Sequence, residues 1–87
     1  MRFVNIGFGN LLSEDKIIAA VAPDASPIKR MIADAKSCGL LIDATCGRKT
    51  RSVVIMDGNH LVLTSISLEI LSQRLDEYTN REDEEVE

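Results

Sequence analysis

Two apolar runs, Val53-Val54-Ile55-Met56 and Leu61-Val62-Leu63-Thr64, flank the tetrapeptide Asp57-Gly58-Asn59-His60, which is rich in turn formers. This is the strongest hairpin signal in the chain, and it commits the fold to an antiparallel sheet. Further strands are legible on the N-terminal side. Residues 2–6, Arg-Phe-Val-Asn-Ile, alternate and are β-rich before Gly7-Phe8-Gly9-Asn10 breaks the run, the pattern of a strand entering a glycine-dependent bend. Asn10-Leu11-Leu12 again looks like strand. After the polar Ser13-Glu14-Asp15-Lys16, the run Ile17-Ile18-Ala19-Ala20-Val21-Ala22 reads as another strand, stopped by Pro23, whose ring biases Ala22 toward extended backbone. Leu40-Leu41-Ile42 begins a short buried strand running to Ala44.

Two helices complete the pattern. Ser26 is a good N-cap, Pro27 suits the first helical position, and Ile28, Met31, Ile32 and Ala35 recur at i, i+3, i+4, i+7 up to a natural stop at Gly39. Lys29, Ala33 and Lys36 then face solvent, with Arg30 on a flank. A second helix starts at Ser67, with Glu69 complementing the positive end of the dipole and Leu68, Leu71, Leu75 and Tyr78 on one stripe. Ile70 falls off that stripe, which fits either a slightly buried edge or a contact with another subunit. The expected fold class is α+β, a small and mostly antiparallel sheet with two helices.

A chain of 87 residues excludes two domains. It buries only about 60–65% of its unfolded surface, so self-assembly would add burial that a thin core lacks. Residues 1–78 are expected to form one domain and 79–87 an acidic, flexible tail. The formal charge of −4 misleads. Residues 76–87 hold seven acids and one base, so 1–75 carry nine bases against seven acids, a body of +2. A run so acidic and poor in apolar residues reads as a solvated end. No apolar stretch approaches a membrane span, and MRFVNIGFGN lacks the continuous apolar core of a signal peptide, so a cytoplasmic location is expected.

Little in the chain suggests catalysis. His60 sits in the hairpin turn. Cys38 and Cys46 are too few and irregularly spaced for a disulfide framework or a zinc site, so neither metal nor cofactor is expected. Cations near Cys46 would favour its thiolate, yet no base or oxyanion device accompanies it. Gly7-Phe8-Gly9 resembles part of a dinucleotide loop, but the third glycine is absent and strand follows instead of a helix, so it reads as a bend between two strands.

The informative site is the loop Thr45-Cys46-Gly47-Arg48-Lys49-Thr50-Arg51, with three cations in four residues while the body's other bases are scattered. Arginine's planar fork can grip a phosphate or a guanine edge with two bonds, and the flanking threonine hydroxyls are common donors to phosphate. Three contacts give a salt slope of at most about −3, weak for one copy. Several copies on one rigid particle would convert weak contacts into avidity.

The segments Asn5-Ile-Gly-Phe-Gly-Asn10, Ser26-Pro-Ile-Lys-Arg-Met-Ile32 and Leu41-Ile-Asp-Ala-Thr45 through Gly47-Arg-Lys-Thr-Arg51 to Val53-Val-Ile-Met-Asp57 carry a resemblance. Across about residues 3–75 the chain resembles the RemA family of bacterial regulators of extracellular-matrix and biofilm genes. The resemblance implies a non-enzymatic transcriptional regulator, nucleoid-associated in the cytoplasm. It also implies a homo-oligomeric, octameric ring that binds double-stranded promoter DNA along its rim. Carried over by motif, the DNA-binding residues are Arg48, Lys49 and Arg51, with Lys16 as an earlier base. Arginine is usual in the family where this chain has Lys16 and Lys49, and an aromatic where it has Cys46; charge survives both lysines, bidentate geometry does not. Scarce aromatics favour duplex DNA over single-stranded RNA. The alternative is a non-enzymatic structural or adaptor ring that recruits a protein partner, with the acidic tail as the recruiting segment.

Overall fold

The computed structural model describes residues 2–75. Its strands are β1 (Phe3–Asn5), β2 (Leu11–Ser13), β3 (Ile17–Val21), β4 (Leu41–Asp43), β5 (Ser52–Met56) and β6 (Leu61–Thr64). Helix α1 (Ser26–Ser37) joins β3 to β4, and helix α2 covers 68–75. Tyr78, the expected domain boundary and the acidic tail lie outside the described residues.

The hairpin is the centre of a four-stranded sheet of order β3-β5-β6-β4. β5 pairs antiparallel with both β3 and β6, while β4 lies parallel to β6. β3 and β4 therefore run the same way on opposite edges, linked by α1 across one face. This is a βαβ unit split open, with the hairpin filling the gap. β1 and β2 form a separate two-stranded antiparallel sheet. The fold is thus the expected α+β class with two helices, but its antiparallel strands divide between two sheets and one pairing is parallel.

Both faces of the large sheet are covered, which explains why β5 and β6 are apolar along Val53–Met56 and Leu61–Leu63 instead of alternating. On one face Val53 and Leu61 pack with Ala35 of α1, joined by Ile28, Ile32, Ile55 and Leu63. On the other, Val54 and Val62 pack with Val4 of β1, Ile6 just after it and Leu71 of α2. A bulge in β3 keeps Ile17 and Ala20 on this second face, and expels Ile18, which is 67% exposed.

Three expectations need correction. β4 is not a buried strand: it is a sheet edge, with Ile42 48% exposed and Asp43 exposed. Ser26 is not the N-cap of α1. Ala25 is, since its carbonyl accepts the N–H groups of Ile28 and Lys29, and Ser26-Pro27 occupy the first helical positions. Thr45 is no phosphate donor, because its side chain is buried and its hydroxyl donates to Asp43. The expected stop at Gly39 holds: with Gly39 at φ +74°, Leu40 N–H donates to Ala35 and Gly39 N–H to Lys36, the paired bonds of a Schellman cap. Ser67 caps α2, its hydroxyl accepting the Ile70 N–H at 3.3 Å, and Ile70, off the apolar stripe, is 44% exposed rather than a slightly buried edge.

Candidate nucleic-acid interface

The chain between β4 and β5 leaves the sheet through a tight turn. Arg48 N–H donates to the Thr45 carbonyl at 3.0 Å. Both central residues have positive φ, Cys46 at +53° and Gly47 at +81°, as a type I′ turn requires. Asp43 anchors its base, accepting the Thr45 hydroxyl at 2.6 Å and the Thr45 N–H at 3.0 Å. Those two bonds, the hydroxyl's foremost, hold the Asp43 carboxyl below its ordinary value of 3.8, with slight desolvation opposing. They also occupy the Thr45 hydroxyl, which is buried and so is not offered to phosphate.

The far end of the loop is held from below. Arg51 N–H donates to the Thr64 carbonyl at 2.9 Å. Ser52 and Thr64, cross-strand partners with no exposed surface, turn their hydroxyls to neighbouring segments: Ser52 donates to the Ile66 carbonyl, and Thr64 to the Ile6 carbonyl at 2.9 Å. This buried polar pair seats the basic loop and the Gly7–Asn10 turn side by side. Sequence reasoning missed it; its trace is two hydroxyl residues at the outer ends of otherwise apolar strands.

Arg48, Lys49 and Arg51 are consequently brought together. All three are exposed and line one open cleft of about 460 Å³ with Phe8 and Ser65. Lys49 and Arg51 also wall an adjoining groove with Asp24, Thr50 and Ser67. Among the described residues no carboxylate lies within ion-pair distance of these three cations. The Arg48 guanidinium lies 5.5 Å from the centre of the Phe8 ring, within cation–π range.

Lys16 is not part of this cleft. It ends a single 3₁₀ turn, Glu14–Lys16, and its neighbour Ile17 pairs with Met56, whereas the basic loop enters β5 at Ser52. Four steps of about 3.4 Å put the two sites about 14 Å apart along the strand. The Lys16 ammonium lies 3.9 Å from the Asp57 carboxylate, both well exposed, a pairing of little energy.

The remaining candidates are dispersed. Cys38 and Cys46 are free and exposed, and His60 lies at the opposite end of the β5–β6 hairpin from Cys46. Among the described residues no cluster of three metal-ligating side chains occurs, and no helix is long and apolar enough to cross a membrane.

Fold and site together define a small α+β module that presents, on one end of a doubly covered sheet, a cationic cleft with no carboxylate in its lining among the described residues. The chain belongs to the RemA-like family: the model described as extracellular matrix regulatory protein A-like matches residues 3–75, the whole described body but for its first residue. The extracellular matrix regulatory protein A of Bacillus subtilis is 49% identical over 75 residues, covering 86% of this chain and 84% of that protein. A protein of Carboxydothermus hydrogenoformans that carries a regulatory-protein name is 47% identical over 83 residues, 95% of both chains. One of Bacillus pumilus is 52% identical over 75 residues, 86% of this chain and 84% of its own.

Proposed function

We propose that this protein is a transcriptional regulator of extracellular-matrix and biofilm genes that binds duplex promoter DNA through Arg48, Lys49 and Arg51. The observation that carries the proposal is their convergence on one open cleft without an opposing described carboxylate. Phosphate is the natural ligand of such a surface. The names of its relatives support the regulatory role.

The proposed working particle is a homo-oligomeric, octameric ring in the cytoplasm, associated with the nucleoid. Two features support assembly. The body is small, and the two free edges of its large sheet each carry an exposed isoleucine, Ile18 on β3 and Ile42 on β4. Apolar patches on opposite edges favour head-to-tail contact, and such contacts close into rings when the rotation permits. A ring repeats each cleft, and it also repeats Lys16 as a second contact row at the other end of β5, so one duplex can touch both.

The test is duplex binding by the parent and Arg48→Ala, with a matrix-operon promoter fragment at several salt concentrations and the native mass measured alongside. Weaker binding, a salt slope lower by about 0.9 per engaged protomer and an unchanged mass are expected. Parental affinity in Arg48→Ala overturns the loop assignment. A stable monomer at micromolar concentration overturns the ring.

A further inference from the structure

The glycine turn between β1 and β2 serves more than chain reversal. Phe8 stands at its tip with φ +55°, between Gly7 at +99° and Gly9 at +77°. A bulky residue is uncomfortable there; among residues with a side chain, asparagine suits this region best. Phe8 is 51% exposed, so it does not occupy the position for the sake of the core. It faces Arg48 at 5.5 Å and forms a wall of the cationic cleft.

The turn that displays it is tied down by hydrogen bonds. Gly7 N–H donates to Asn5 Oδ1 at 2.8 Å, and both the backbone N–H and the side-chain amide of Asn10 donate to the Gly7 carbonyl at 3.0 Å. Ile6 is held twice, its N–H donating to the Asn10 carbonyl at 3.0 Å and its carbonyl accepting the buried Thr64 hydroxyl at 2.9 Å. A long arginine loses rotamer freedom when it grips a phosphate, and a fixed aromatic face that already holds its guanidinium removes part of that cost.

We infer that Phe8 is a positioning residue of the DNA-binding surface, holding the Arg48 guanidinium toward phosphate through its ring face. The inference rests on the DNA-binding reading and adds the glycine turn to it as a second recognition element. An exposed cation–π contact corresponds to about a two- to fivefold change in affinity for each Arg48 engaged.

The experiment compares Phe8→Leu, Phe8→Tyr and Phe8→Asn, together with Arg48→Ala and the double variant Phe8→Leu/Arg48→Ala, for duplex binding, melting temperature and native mass. Phe8→Leu should weaken binding by that factor and Phe8→Tyr should restore it, because the ring face and not bulk is required. Phe8→Leu should cost nothing further in the Arg48→Ala background. Phe8→Asn should melt higher, its backbone relieved, while binding more weakly, opposite movements that a merely structural residue does not produce. The inference is overturned if leucine serves as well as tyrosine, if Phe8→Leu costs as much without Arg48 as with it, or if Phe8→Leu changes the native mass, which would make Phe8 a subunit contact. Loss of binding in Arg48→Ala with parental binding in Phe8→Leu overturns only this inference. Parental binding in Arg48→Ala overturns it together with the loop assignment.

Discussion

Thr64→Val tests how the site is held. Thr64 has no exposed surface, and its hydroxyl donates to the Ile6 carbonyl at 2.9 Å and accepts the Ile66 N–H at 3.2 Å. Valine keeps the shape and removes both bonds, stranding one buried carbonyl and one partly buried N–H. Each stranded group costs about 1–3 kcal/mol, with the longer, less buried Ile66 bond at the low end, and the hydroxyl's own desolvation is recovered. A net loss of about 2 kcal/mol follows, which lowers the melting temperature of a domain this size by about 8–16 °C. Calorimetry should be run at one protomer concentration, since assembly shifts the transition. Thr64→Ser is the control: it keeps the hydroxyl, loses a methyl and costs about 1 kcal/mol. If Thr64→Val is as stable as the parent, or more stable than Thr64→Ser, the hydroxyl is not the tie between the Gly7–Asn10 turn and the sheet. DNA binding should fall with stability in Thr64→Val, because Phe8 and Arg48 lose their common seat.

Gly47→Ala isolates backbone strain: an added Cβ meets nothing within 4 Å, so the cost comes from φ +81° alone, about 1–2 kcal/mol, read as a lower melting temperature. Asp43 should titrate below its ordinary 3.8, and Thr45→Val should return its midpoint upward, measurable by NMR through the carboxyl resonance. The sign follows from the depressed value: what Asp43 contributes to holding the loop is present above pH 3.8 and is lost as pH falls through the lowered pKa.

The hairpin was legible because its turn chemistry is local: Gly58 and Asn59 adopt φ of +81° and +68°, as their residue types permit. The glycine bend and α1 were legible for the same reason. What escaped depends on partners distant in the chain. That Val53 and Val54 face different layers follows from α1 covering one side and β1, β2 and α2 the other, and no local pattern distinguishes that from a single buried face. The parallel β4–β6 pairing, and with it the exposure of Ile42, is set by the crossover of α1. The three loop cations were visible as a cluster in the chain, but the Phe8 wall needed two turns seated by Ser52 and Thr64. Lys16 was joined to that cluster only by resemblance, and the fold puts a strand's length between them.

Charge segregation turns a net acidic chain into a plausible partner for DNA. The body carries +2 and residues 76–87 carry −6, so what matters is how near those acids come to the cleft. In water a unit charge pair 10 Å apart is worth about 0.4 kcal/mol, and salt at one Debye length reduces that to roughly a third. Removing 79–87 deletes five acids and one base. Four net charges at that distance then bound the gain at about 1.6 kcal/mol per cation at low salt, on the order of tenfold in affinity. Deletion should therefore tighten duplex binding at low salt, with the gain shrinking as ionic strength rises and the native mass unchanged. Equal binding by both chains at low salt would show that the acids do not compete with phosphate. Loss of a protein partner with DNA binding intact would instead favour the adaptor reading.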